Sequence, residues 1–225
     1  MLREIVLDTE TTGLDPAAGH RMVEVGCIEL INHLPTGREF HSYLNPERDV
    51  PEDAARIHGL SNAFLNDKPL FAHKAADFIT FVGTARLVIH NASFDLKFLN
   101  AEFARLNLGV QWGMDRTTDT LAMARRKYPG MRANLDALCT RMGINRSMRD
   151  KHGALIDAKL LAEVYLELMG GRQLGLMIET ETDSVTPQSL TRSTKPLRPA
   201  RSFALSEDDQ RAHALLVAGI KGSLW

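Results

Sequence analysis

Apolar and polar positions change their period along this chain. Residues 4–8 form a short apolar run with an acidic end. In residues 22–31, Val23, Val25 and Cys27 alternate with side chains of the other face, and after a Pro35-Thr36-Gly37 turn residues 39–44 continue the pattern. A period of two is that of a strand, so the opening is predicted to be a three-stranded antiparallel meander. The period then lengthens. Ala75, Phe78, Ile79 and Val82 stand at i, i+3, i+4 and i+7, with Gly83 placed to end a helix. Leu87-Val88-Ile89 suits a strand buried on both faces, and Leu96, Leu99, Phe103 and Leu106 restore the helical period. Further helices are expected over residues 120–127, 134–142 and 154–169, with Pro129-Gly130 and Gly143 as breaks. Strands that alternate with helices make this an α/β domain.

The texture shifts after Gly170-Gly171. Residues 180–202 are dense in Thr, Ser, Pro and Arg and hold few large apolar side chains, which describes a flexible linker without a core. Beyond it, Ser206 and Asp209 form a capping box opening a helix that carries Leu215, Leu216 and Ile220, and the sequence ends on Leu224-Trp225. One amphipathic helix cannot bury its own apolar stripe. It is expected to dock on a partner through the tether rather than fold back on the domain. The organisation read from the chain is a globular domain over residues 1–170, a short motif over 171–178, a linker over 179–205 and a helical tail over 206–225.

Composition narrows the class. At 225 residues and 44% hydrophobic, the chain suits one ordinary domain with a remainder, since domains usually run to roughly 100 to 200 residues. Its two cysteines, Cys27 and Cys139, give no paired spacing and are read as buried thiols in a reducing cytoplasm. The first residues lead straight into an apolar strand, and no apolar run approaches about 18 residues. A cytoplasmic protein with no membrane partner is expected. The formal net charge is −1. A protein that captures nucleic acid unaided usually carries a basic excess that releases counterions from phosphates. A polynucleotide substrate would therefore be gripped only at a short single-stranded end, or be held nearby by another protein.

The candidate chemistry is a set of carboxylates with one imidazole. Side chains at i and i+2 of a strand share a face, so Asp8 and Glu10 present two carboxylates at one strand end. Asp95 closes His90-Asn91-Ala92-Ser93-Phe94-Asp95 at the start of a helix after a second strand, and both elements can end at the sheet edge where ligands of open α/β sheets collect. Asp157 falls in the first turn of the last domain helix. His152 precedes it by five residues, an offset of about 140° on one helix, so it must approach from the loop. Four converging carboxylates raise one another's pKa values, and a divalent cation removes that conflict. Oxygen ligation selects a hard ion, Mg²⁺ or Mn²⁺. Two such ions about 3.5 to 4 Å apart would clamp the oxygens of a phosphodiester, with Asp8 bridging them. An imidazole exchanges protons near neutrality, which makes His152 the general base. Taken singly, the same residues read as a solvated strand end, a charge complementing a helix macrodipole and a surface loop; in this order, each at an element end, they point to a metal site. His20, His33, His41, His73, His90 and His213 lack metal-ligand spacing and are expected to be surface or hydrogen-bonded structural residues.

At these residues the chain resembles the DEDDh, or DnaQ-like, 3′–5′ exonucleases, whose fold is RNase H-like. Ile5-Val6-Leu7-Asp8-Thr9-Glu10-Thr11-Thr12-Gly13-Leu14 is similar to the first family motif, His90 to Asp95 to the second, and His152-Gly153-Ala154-Leu155-Ile156-Asp157 to the third. The resemblance implies a mixed five-stranded sheet flanked by helices, with Asp8, Glu10, Asp95 and Asp157 as ligands of two divalent cations and His152 activating water. It also implies that Gly13, Leu14, His58 of Ile57-His58-Gly59-Leu60, and Asp53 touch the terminal nucleotide of a single-stranded 3′ DNA end. Two tail features are similar to the proofreading branch of the family. Gln173, Leu174, Leu176 and Met177 resemble the short glutamine-led motif that binds the sliding clamp. The segment carrying Leu215, Leu216 and Trp225 resembles the tail that anchors to the catalytic (alpha) subunit of DNA polymerase III. The expected activity is metal-dependent 3′–5′ removal of nucleotides from DNA during replication. The alternatives are an RNA-trimming enzyme of the same fold and a non-catalytic scaffold of the polymerase.

Overall fold

The computed structural model of the chain describes residues 2–147, 151–171 and 206–219. It divides into two units, the first through Met177 and the second from Ile178, and each is treated by itself.

The first unit is built on five strands: β1 (Arg3–Thr11), β2 (Met22–Ile31), β3 (Leu34–Tyr43), β4 (Arg86–Ile89) and β5 (Thr117–Asp119). Their order across the sheet is β3-β2-β1-β4-β5. The β1–β2 and β2–β3 pairs are antiparallel, whereas β1–β4 and β4–β5 are parallel. The meander and the mixed sheet thus stand as expected. Helices α1 (Glu52–His58), α2 (Asn62–Leu65), α3 (Phe71–Val82), α4 (Ala92–Arg105), α5 (Thr120–Lys127), α6 (Leu135–Met142) and α7 (Ala154–Leu168) complete the unit.

Both faces of the sheet are covered. Ile5, Leu7, Leu87 and Ile89 pack with Phe78 of α3 and Phe98 and Phe103 of α4. Val6 and Val88 face the other way, into a core with Leu138 of α6 and Leu161 and Val164 of α7. The alternation along β1 is the two-residue period of a strand, and it decides the chemistry, because Asp8 and Glu10 share the face of Val6 and so look toward α7. Cys27 and Cys139 are buried free thiols in the two separate cores.

Two local expectations differ from the structure. The turn between β2 and β3 is at Asn32 and His33, with φ of 49° and 68°, and Pro35-Thr36-Gly37 lies inside β3. A two-residue hairpin loop with both central residues left-handed matches the twist of its strands, and Asn and His tolerate that region. Proline is accommodated because β3 is an edge strand. Helix α1 was not apparent from periodicity. Its only buried side chain is His58, and its neighbourhood is held by a small cluster of Val23, Val50, Leu60 and Leu65.

In the second unit, α8 (Glu207–Gly219) is capped as its sequence predicts, the Asp209 amide donating to Ser206 Oγ at 3.2 Å. Leu215 and Leu216 are exposed. Gln173, Leu174, Leu176, Met177, Ile220 and Trp225, and the linker at 179–205, lie outside the described residues. Among the described residues no helix is long and apolar enough to cross a membrane.

Candidate active site

The end of β1 meets the start of α7 at a glycine. In the β1–β2 register Asp8 lies opposite Gly26 and Glu10 opposite Glu24. A Cβ on Gly26 would stand 2.3 Å from Leu155 N and 2.4 Å from the Ala154 carbonyl carbon. The first turn of α7 therefore rests directly on the backbone of β2, and this close approach brings buried Asp157 to the carboxylates of β1. His152 comes from the loop before the helix. Its amide donates to the Ile57 carbonyl at 3.3 Å, and its Nδ1 lies 3.2 Å from Asp157 Oδ2. One ligand atom each from Glu10, His152 and Asp157 fall within 4.8 Å of one another, a grouping able to hold a metal ion. Asp8 and Asp95 stand outside this tight set.

Asp95 is placed by a different device. Asn91, left-handed at φ 66°, turns the chain from β4 into α4, and the Asp119 carboxylate accepts from the Asn91 amide at 3.2 Å and the Ala92 amide at 3.3 Å. Asp95 follows in the first turn of α4. Thr9, between the two acids of β1, donates its hydroxyl to Asp95 Oδ1 at 2.7 Å. Asp95 is only 3% exposed. Burial pushes its pKa from 3.8 up to about 7, against the opposing hydrogen bonds from Thr9 and backbone amides, and the Asp119 charge adds to the rise. A carboxyl held so far from water suits a bound cation, which would supply the missing counter-charge.

Beside Glu10 opens a cleft of about 570 Å³ lined by the 9–15 segment, α1 and Phe94. Gly13, Leu14, Asp53 and His58, the substrate residues expected from sequence, all line it. Leu14 is 82% exposed, an apolar side chain standing at the cleft. Asp53 is paired with Arg56 on the exposed side of α1. His58 is buried, and burial lowers its pKa, so the ring is neutral. Its Nδ1 accepts from the Leu60 amide at 3.0 Å, which assigns the ring hydrogen to Nε2. That Nε2 is buried with no hydrogen-bond partner among the described residues. An unmade buried hydrogen bond costs about 1–3 kcal/mol, and a ligand acceptor in the cleft would recover it.

The residues that position the acidic side chains, Gly26, Thr9 and Asp119, and Phe94 in the cleft wall, are not among those the sequence points to. A signal existed for Gly26, since an isolated glycine in an apolar strand marks a close backbone approach. Thr9 and Asp119 act through contacts distant in sequence and left no local mark.

An exonuclease family model matches residues 5–165. Relatives named DNA polymerase III subunit epsilon include one from Rickettsia felis, 52% identical over 86% of this chain and 87% of its own length. Another, from Salmonella typhimurium, is 44% identical over 94% of this chain and 90% of its own length. Among solved structures, exonuclease X in complex with 5′ overhanging duplex DNA is similar at a TM-score of 0.58 and 26% identity, covering 74% of this chain and 90% of that one. The nuclease domain of 3′hExo, a DEDDh family member, shares the fold at a TM-score of 0.61 and 17% identity, over 74% of this chain and 91% of that one. The chain belongs to this exonuclease family, within the branch formed by the epsilon subunits of DNA polymerase III.

Proposed function

We propose that this exonuclease removes mispaired nucleotides from the 3′ end of nascent DNA, releasing 5′-mononucleotides, as the cytoplasmic proofreading subunit of a bacterial replicative polymerase. The observation that carries the reading is the convergence of Glu10, His152 and Asp157 beside a cleft of nucleotide size. Asp8, Glu10, Asp95 and Asp157 hold two divalent cations, Mg²⁺ or Mn²⁺, which when bound supply Lewis-acid stabilisation of the charge on the phosphodiester. The protein's own groups do the rest. The terminal nucleoside enters the cleft between Leu14 and Phe94, and His58 Nε2–H meets one of its acceptors. With Nδ1 engaged by Asp157, His152 takes the proton of the attacking water at Nε2.

The net charge of −1 supports a nuclease that receives its substrate from a larger assembly. Residues 206–225 would anchor to the polymerase alpha subunit, and Gln173, Leu174, Leu176 and Met177 would contact the sliding clamp. A 5′-labelled single strand should be shortened in Mg²⁺ from its 3′ end, and Asp8→Ala or His152→Ala should abolish this without unfolding the protein. Undiminished activity in both variants rejects the mechanism. A chain ending after residue 178 should keep nuclease activity and no longer co-elute with the alpha subunit on a sizing column.

A further inference from the structure

Gly13 lies under an imidazole. A Cβ at Gly13 would stand 2.4–2.6 Å from three ring atoms of His20, so the ring is seated on bare backbone and cannot move inward. Thr12 fixes its other side. The Thr12 side chain is 1% exposed, its Oγ1 accepts from the Arg21 amide at 3.0 Å, and Oγ1 lies 3.1 Å from His20 Nδ1. A buried hydroxyl needs an acceptor for its own hydrogen. Among the described residues His20 Nδ1 is the acceptor within reach, so Thr12 donates to it, and the hydrogen of the neutral ring is carried by Nε2. His20 lines the same cleft as His58.

We infer that His20, expected from sequence to be structural, is a substrate-binding residue whose Nε2–H donates to the base of the terminal nucleotide, at the minor-groove-edge acceptor that all four bases share. The inference rests on the exonuclease reading. Its physical content is that His20 and His58 both have Nδ1 occupied by the protein as an acceptor, which turns two histidines into donors in one largely apolar cleft. A neutral donor among apolar walls selects an uncharged acceptor of the nucleoside over phosphate oxygen. Pyrimidine O2 and purine N3 occupy equivalent places on that edge, so one N–H there holds any terminal base without reading sequence. That suits an enzyme that must accept whichever nucleotide was misincorporated.

The test uses the full chain and single strands ending in 2′-deoxyadenosine or 3-deaza-2′-deoxyadenosine, in which N3 is replaced by C–H. Affinity is read by fluorescence anisotropy in EDTA, and hydrolysis in Mg²⁺ is followed in parallel. One hydrogen bond corresponds to roughly five- to tenfold in affinity. The unmodified protein should bind the 3-deaza end weaker by that factor. His20→Phe, which keeps the ring's bulk over Gly13, should bind both ends equally and as weakly. His20→Gln, which retains an acceptor for Thr12 and a donor for the cleft, should recover part of the difference and controls for folding. In hydrolysis the loss should fall on KM, with kcat nearly unchanged. A gap between the two ends that survives in His20→Phe, or no gap in the unmodified protein, overturns the inference. Absence of hydrolysis by the unmodified protein, with the binding gap present, instead refutes the exonuclease reading and leaves the His20 contact standing.

Discussion

Asp95→Asn should stabilise the metal-free protein. The carboxyl is 3% exposed, and its pKa is displaced from 3.8 to about 7, chiefly by burial. A displacement of that size is worth about 4 kcal/mol, at about 1.4 kcal/mol per pH unit. The sign follows from linkage. A carboxyl whose folded pKa is raised favours the folded state while protonated, so its contribution is intact below pH 3.8 and is lost as pH rises toward and through 7. At pH 7 the fold therefore bears nearly the whole penalty, and at pH 5 about 2 kcal/mol less of it. Asparagine has nearly the same shape, keeps an Oδ1 to accept from Thr9, and has no charge to desolvate.

Urea unfolding in EDTA at pH 5 and pH 7 should show Asp95→Asn more stable than the unmodified protein, with the excess growing by about 2 kcal/mol between the two. Mg²⁺ should narrow the gap. A ligand that binds only the folded state adds about 2.7 kcal/mol at a hundred times its Kd, and the variant, lacking the Asp95 carboxylate proposed to hold the cation, should gain much less. The reasoning is refuted if Asp95→Asn changes stability by the same amount at both pH values, for then ionisation of Asp95 carries no folding penalty.

Three further outcomes are expected. Gly26→Ala places a Cβ within 2.4 Å of the α7 backbone, so it should cost about 1–3 kcal/mol in urea unfolding and lower single-turnover rates roughly 100-fold by displacing His152 and Asp157; wild-type rates would show that the seating of α7 does not set the site. Thr9→Val removes a hydrogen bond that holds the Asp95 pKa down, so protons should compete harder for that carboxylate, and the Mg²⁺ concentration giving half-maximal rate should rise more at pH 7 than at pH 8.5. Tyr165→Phe removes the hydroxyl that donates to buried Glu4 Oε1 at 2.8 Å, and should cost about 1–3 kcal/mol of stability while kcat/KM at a permissive temperature stays unchanged.

What the chain discloses of itself follows the range of the interaction involved. Leu87-Val88-Ile89 was legible as a doubly buried strand because nothing but burial on both faces accounts for three apolar residues there, and each is fully buried. Asp8 and Glu10 were legible as a pair because the strand period is a local rule, and their orientation toward α7 then follows from Val6 alone. The hairpin turn was misplaced because Pro35-Thr36-Gly37 is the stronger turn composition, and only the pairing of Ile31 with Leu34 shows that Asn32 and His33 carry the reversal. Helix α1 escaped because its exposed face holds no apolar stripe and its one buried side chain is a histidine.

The site divides along the same line. Its acidic residues and His152 stand in motifs that the sequence marks, but the distances among them are set by residues with no chemistry of their own. Gly26 lets α7 touch the sheet, Thr9 holds Asp95 across 86 positions of chain, and Gly13 seats His20. Each is a small or short side chain whose effect lies in what it allows a remote segment to do, and apart from the isolated glycine in β2 no local pattern registers such effects. The histidines show the consequence. His20 bears no mark in the sequence that separates it from a structural histidine, and His58 stands out only through its Ile57-His58-Gly59-Leu60 segment; the Leu60 amide places the ring hydrogen of His58 on Nε2, and Thr12 Oγ1 stands against Nδ1 of His20. If these two rings hold the terminal nucleotide as proposed, its recognition depends on hydrogen-bond partners that are not themselves candidate metal ligands, and variants of those partners should alter binding while leaving the carboxylate cluster in place.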